Sequence, residues 1–229
     1  MRNRRYLIVA LLLLVALVGA VALVGPGAGA AGTTVALWRM DEPAGATVMY
    51  DSVGGHDGTL TDVRTGVAGG VSGTAYGFNG HSSKAVVPSS GGFSIGSSNL
   101  AFTVHVKFAN VPSTTVGDYD LLRGTPGGAY KLEIVARKDR TMGVASCFFS
   151  GSAGRAVLTA GPDLADNSWH TLQCSKTASA IQLVVDGQAF TKPVTIGSLG
   201  NAAPLSLGAK STGGDWYEGL MDEVSVSVG

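Results

Sequence analysis

Sixteen acidic residues, four histidines and two cysteines carry most of the chemistry open to this 229-residue chain. Asp222 and Glu223 stand together in "EGLMDEVSVSVG", and the same Met-Asp-Glu triplet recurs in "RMDEP" at 39–43. Glycosidic cleavage would need two carboxyl groups facing each other across a groove, about 5 to 10 Å apart. On a strand that means acids two or four residues apart on one face. Glu133 stands alone in its strand-like run, and Asp118 with Asp120 falls in "VGDYDLL", which reads as a turn. A glycosidase is therefore not expected. Nucleophilic catalysis is not expected either, because His56, His81, His105 and His170 sit in unrelated local settings, and no Cys/His zinc spacing is present.

Calcium suits the acidic, glycine-rich stretches better. It takes about six to eight oxygens from carboxylates, backbone carbonyls and water, which irregular Asp/Gly loops supply. Period two places Asp222 on one face with Val224, Val226 and Val228, and points Glu223 outward with Ser225 and Ser227. A carboxylate aimed at the core needs a cation or several N–H donors. Asp41 follows "VALWRM", Asp51 lies among the glycines of "YDSVGGHDG", and Gly80 in "GFNGHS" offers a backbone oxygen. The candidate calcium set is thus Asp222, Asp41, Asp51 and Gly80. The competing reading is that these acids cap turns and pair with Arg39 or Lys84.

Sugars are recognised by aromatic rings against their apolar faces and a few placed hydrogen bonds. "STGGDWYEG" offers Asp215, Trp216 and Tyr217, and "GDYDLLRG" offers Tyr119, Asp120 and Arg123. Against this, Trp216 and Tyr217 can simply start the final strand and pack beneath a loop.

The elements that must hold these residues are strands. In "AFTVHVKFAN", Phe102, Val104, Val106 and Phe108 share one face, and Thr103, His105 and Lys107 the other. "YKLEIVARK" sets Leu132 and Ile134 opposite Lys131 and Glu133, and "SAIQLVVDG" sets Ile181, Leu183 and Val185 opposite Gln182 and Asp186. Val185-Asp186-Gly187-Gln188 is a hairpin signal, since Asp-Gly supplies the positive φ of a type I′ turn. Trp169 is expected to anchor the core at a strand start. Many short strands with no helical stripe argue for a two-sheet antiparallel sandwich.

Composition sets the remaining bounds. MRNRR followed by the apolar run Tyr6 to Val24 and an Ala-x-Ala pattern at 28–30 reads as a secretory signal helix over residues 1–31. An uncleaved membrane anchor is the alternative, since a spanning helix needs about 20 residues. Without that segment, thirteen basic residues face sixteen acidic ones, a net charge of about −3, which gives nucleic acid no basic footprint. The remaining residues, 32–229, fit one domain. In an exported chain, Cys147 and Cys174 read as one disulfide, stapling two neighbouring antiparallel strands.

The segments "VALWRMDEPAGATVMYDSVGGHDGTL", "NSWHTLQCSKTASAIQLVVDGQ" and "PLSLGAKSTGGDWYEGLMDEVSVS" together resemble the successive motifs of laminin G-type domains of the concanavalin A-like lectin and glucanase superfamily. The resemblance implies an all-β jelly roll of about a dozen strands with non-covalent ligand binding, commonly of carbohydrate. The expected protein is a secreted, non-catalytic, monomeric lectin-like domain, possible calcium included, with an extracellular glycan as partner. The alternative is an adhesion domain on the outer face of the envelope that contacts cell-surface proteins.

Overall fold

Alternation decides the fold strand by strand. In β7 (Leu100–Lys107), Phe102, Val104 and Val106 are fully buried, whereas Thr103, His105 and Lys107 turn outward, as a period of two requires. The same rule builds sixteen strands among residues 32–88, 93, 95–124, 129–200 and 204–229, which the computed structural model describes. The expected signal helix lies outside the described residues. Among those described, no helix is long and apolar enough to cross a membrane.

Two eight-stranded antiparallel sheets face each other as a jelly-roll sandwich. The first runs in the order β14 (Gln188–Pro193), β13 (Ala180–Val185), β12 (His170–Lys176), β7, β16 (Glu218–Val228), β5 (Thr74–Asn79) and β4 (Arg64–Ala68), with β1 (Thr33–Trp38) also on β16. The second runs β11 (Gly154–Thr159), β10 (Met142–Gly151), β9 (Tyr130–Arg137), β8 (Asp118–Gly124), β15 (Leu205–Leu207), β6 (Lys84–Val87), β3 (Gly58–Thr61) and β2 (Val48–Met49). Inward residues of both sheets fill the space between them. Phe102 of the first sheet, for instance, meets Tyr130 and Phe149 of the second, with ring centroids 5.6 and 5.8 Å apart. The Asp-Gly hairpin forms between β13 and β14, with φ of 48° at Asp186 and 84° at Gly187.

Four expectations need correction. The Cys147–Cys174 disulfide joins β10 to β12, and so ties one sheet to the other instead of stapling neighbours within one. Both sulfurs are inward because Cys147 and Cys174 share parity with Phe149 and Leu172, which face the core. Trp169 is not a core residue: His170, Leu172 and Cys174 point inward, so Trp169 points out and donates its indole N–H to Gly69 O at 3.1 Å. The tryptophan of the core is Trp38, 0% exposed, with its Nε1 donating to His56 O.

The third correction concerns "GDYDLL", which is strand β8 and not a turn. The fourth concerns β16, where β1 pairs as expected for first and last strands, with Trp38 opposite Val224. A bulge interrupts its pairing with β7 between Asp222 and Ser225, where Glu223 has φ of 44°. An extra residue at a bulge reverses the facing of everything beyond it. Met221 and Val224 therefore both face the core, while Asp222 lies opposite the outward His105 and not with the valines. Glu223 is not simply solvated; it is 3.5 Å from Arg39.

A charged cluster on the second sheet as candidate binding site

The outer face of the second sheet gathers charges that lie far apart in sequence. Asp120 of β8 is directly opposite Glu133 of β9, and Arg123 is opposite Lys131. A strict period of two would put Asp120 and Arg123 on opposite faces. The bulge between Asp120 and Leu122 brings both outward, while Leu122 and Leu132 face the core. Lys131 is in turn opposite Phe148 of β10, and Arg123 is opposite Ser206 of β15.

The loop before β16 completes the cluster. Asp120 N donates to Asp215 O at 3.0 Å, and the Asp215 carboxylate lies 2.7 Å from Lys210 Nζ and 3.8 Å from Arg123 Nη1. Arg123 Nη1 donates to Asp120 Oδ2 at 3.0 Å. Lys131 Nζ is the hub, 3.0 Å from Asp118, 3.6 Å from Asp120 Oδ1 and in contact with Glu133. Two stretches expected to offer separate sites, around Asp120 and around Asp215, thus form one.

Four carboxyl groups facing three cations cannot all ionise at no cost. Burial pushes Glu133 up to about 8, helped by its hydrogen bond with Asp118 and only partly opposed by Lys131. Burial likewise raises Asp120 to about 6 against the pull of Lys131 and Arg123. Asp118 is also partly buried, but its bonds to Glu133 and Lys131 outweigh that and hold it well below the usual range. Around neutrality Glu133 keeps its proton and shares it with Asp118, which leaves three negative charges against Arg123, Lys131 and Lys210.

Two rings flank these charges. Lys84 Nζ lies 5.9 Å from the Trp216 ring centroid, and Arg155 lies 5.6 Å from that of Phe148. Both rings are half-buried, so each keeps an accessible part. Tyr119 and Tyr217, expected beside them, are core residues instead, 2% and 0% exposed, and pack edge to face on Phe108. They offer no ring face to a ligand. Lys131, Glu133 and Phe148 complete the face unforeseen as binding residues, although the alternation of "KLEIV" already points Lys131 and Glu133 outward.

The calcium set is not one site. Asp222 is 0% exposed, and its carboxylate accepts N–H donors from Val71, Ser72 and Glu223. Burial still raises its pKa against those donors. Nearby Asp41 accepts from Thr74 N at 2.8 Å. Asp51 serves a different loop, accepting from the N–H groups of Leu37, Val53, Gly54 and His56. Gly80 hands its N–H to Tyr217 O and lies beside Glu218. Asp222 and Asp51 thus have both carboxylate oxygens engaged by N–H donors, each in its own loop, and among the described residues the four do not converge on one ion. Among the described residues, the acids that do converge are Asp118, Asp120 and Asp215, with ligand oxygens within 4.8 Å, but Lys131, Arg123 and Lys210 already balance them.

No catalytic histidine emerges. His170 is clamped between Asp186 at 2.8 Å and Asp166 at 3.0 Å, His56 lies 2.9 Å from Asp51 and stacks on Phe93, and His105 and His81 bond to backbone oxygens. The run "GFSIG" at 92–96 has the Gly-x-Ser-x-Gly spacing. That motif acts on a strand-to-helix turn, and its Gly92 and Ser94 lie outside the described residues.

A laminin G-type family model of the concanavalin A-like lectin/glucanases superfamily matches residues 78–228. No curated protein sequence matches the chain. Among solved structures, domain 4 of AbnA, a GH43 extracellular arabinanase from Geobacillus stearothermophilus in complex with arabinotriose, is similar at a TM-score of 0.58 and 19% identity, over 86% of this chain and 93% of that one. Domains LG4-5 of the mouse laminin alpha1 chain give 0.51 and 22%, over 68% and 41%. The botulinum neurotoxin serotype D binding domain gives 0.60 and 10%, over 85% and 47%, so this chain spans about half of that domain. At these identities the structural likeness concerns the fold; the family match covers most of the described sandwich. The chain belongs to the concanavalin A-like lectin/glucanases superfamily, as a laminin G-type domain.

Proposed function

We propose that the protein is a secreted, non-catalytic lectin-like domain that binds a glycan on the outer face of its second sheet. The observation that carries this reading is the fixed set of partly exposed polar groups, Arg123, Lys131 and Asp215, held in place by the buried Asp120 between the half-buried rings of Phe148 and Trp216. From β10 to β6 the face crosses four strand spacings, about 19 Å, which accommodates a short oligosaccharide. The ring faces stack on sugar C–H groups and the charged groups bond hydroxyls. Ordering these side chains before the ligand arrives reduces the entropy that binding must overcome.

Several features support the rest of the reading. Lys131 lies against Asp118, Asp120 and Glu133 together, so these carboxyl groups share one cation and do not face each other across an open groove as glycoside hydrolysis requires. The apolar leader and the inter-sheet disulfide favour an exported protein. The reading does not require calcium, because Asp222 and Asp51 are served by N–H groups.

A glycan array, with arabinotriose among the probes because a similar fold is known in complex with it, tests the proposal. The expected result is a saturable signal that Trp216→Ala and Lys131→Ala each weaken at least tenfold. A silent array from folded protein, or variants that bind undiminished, overturns it, and a silent array with a specific protein partner favours an adhesion role.

A further inference from the structure

A concavity lies on the opposite side of the sandwich from the charged cluster. It is an open cleft of ≈ 540 Å³ on the outer face of the first sheet, with Arg64, Gly77, Lys107 and Leu220 among its lining residues, and its size falls within the range of small-ligand sites. We propose that this cleft is a second saccharide site, for a neutral sugar ring, so that one chain carries two glycan sites on opposite faces. The kind of ligand rests on the glycan-binding reading above; the place does not.

Register explains why the cleft exists. Arg64, Gly77, Leu220 and Lys107 form one row across β4, β5, β16 and β7. Tyr76, Phe78 and Met221 face the core, so alternation turns Gly77 and Leu220 outward. Gly77 has no side chain, which makes room for Arg64 to lie across its strand. A Cβ there would lie 3.1 Å from Arg64 Nε and 3.3 Å from its Nη2, so the guanidinium lies along the bare strand and forms one wall. Lys107 forms the other, two strand spacings or about 10 Å from Gly77. Leu220 lies between them as an apolar floor wide enough for one sugar ring.

The charges narrow the ligand class. Asp62 and Glu218 line the cleft along with Arg64 and Lys107, so its formal charge is balanced. Arg64, Lys107 and Asp62 make no ion pair among the described residues, and Glu218 accepts one bond from Asn110 at 3.3 Å. A phosphate or carboxylate only accepts, and would leave Asp62 and Glu218 facing an anion. A polyamine only donates, and would do the same to Arg64 and Lys107. Hydroxyl groups donate and accept, and therefore satisfy both signs of charge at once. A flat C–H face above Leu220 with hydroxyls at its rim describes a neutral sugar. Two such sites facing opposite ways would let one chain cross-link two glycan strands.

Amide NMR titrations of the folded chain with arabinotriose, xylotriose and cellotriose, and with trigalacturonate as the anionic control, test this. The expected result is saturable movement of the Gly77, Leu220 and Lys107 signals with at least one neutral trisaccharide, retained in Trp216→Ala. Arg64→Ala and Lys107→Ala, both outward-facing changes that leave the core intact, should each weaken that response at least tenfold. Signals that move only on the second sheet, a cleft that stays silent to all three neutral probes, or a cleft that answers only trigalacturonate would each overturn the proposal. Movement in the cleft while the Asp120–Lys131 face stays silent would instead count against the site on the second sheet.

Discussion

Replacing Glu133 by Gln isolates the proton held within the charged cluster. Only 8% of the Glu133 side chain is exposed, and burial together with Asp118 lifts its carboxyl from an ordinary 4.5 to about 8. Below the ordinary value both folded and unfolded chains carry the proton; between the two values only the folded chain does; above both, neither does. Folding therefore takes up a proton within that window, and stability falls as pH rises through it. Each pH unit costs about 1.4 kcal/mol, so the window amounts to at most about 5 kcal/mol. The lowered Asp118 carboxyl offsets part of this. A glutamine side chain keeps a donor for Asp118 and has no proton to lose. Urea unfolding across the pH range should show the Glu133→Gln variant and wild type nearly equal near pH 4, with the variant gaining a few kcal/mol by about pH 8. A difference that stays flat with pH, or that grows in favour of the wild type, refutes the shared proton.

Three further outcomes are expected. Replacing Cys147 and Cys174 together by Ala opens a loop with a separation of 27 residues, which should cost about 3.5 kcal/mol on the loop-entropy relation and appear as a lower urea midpoint. His170 is partly buried, which disfavours its charge, but the bonds from Asp186 and Asp166 prevail and raise its pKa. Its contribution to stability is therefore complete below the ordinary 6.5 and lost as pH rises through the folded value, and NMR titration of the ring should give a midpoint above that of His170 in the unfolded chain. Calorimetric titration of metal-stripped protein with Ca²⁺ should show no binding heat, and Asp222→Asn should not change that result.

How much is legible in the sequence depends on the range of the interaction involved. The β7 alternation and the Asp186-Gly187 hairpin are local, and both stand in the structure as the residues suggest. Glu133 and Asp118 look isolated in the sequence because their proximity is set by the pairing of β8 with β9, which no local pattern reveals. The bulges at Leu121 and Glu223 each change the facing of the residues around them, so simple alternation misplaces Arg123 relative to Asp120 and assigns Asp222 to the core valines. Size alone misjudges Trp169, whereas the parity of its strand, fixed by Leu172 and Cys174, turns it outward. The two cysteines do pair, but which sheet each joins is set by the sandwich as a whole. Asp222 poses the sharpest choice, between a cation and N–H donors, and the turn carrying Val71 and Ser72 supplies the donors.

The most direct measurement is a crystal structure of the protein with the strongest glycan from the array. The expected result is sugar density on the outer face of the second sheet, with a ring against Trp216 or Phe148 and hydroxyls within hydrogen-bond distance of Arg123, Lys131 or Asp215. Density bound only at the ends of the sandwich, with those side chains untouched, would contradict the assignment of this face as the binding site.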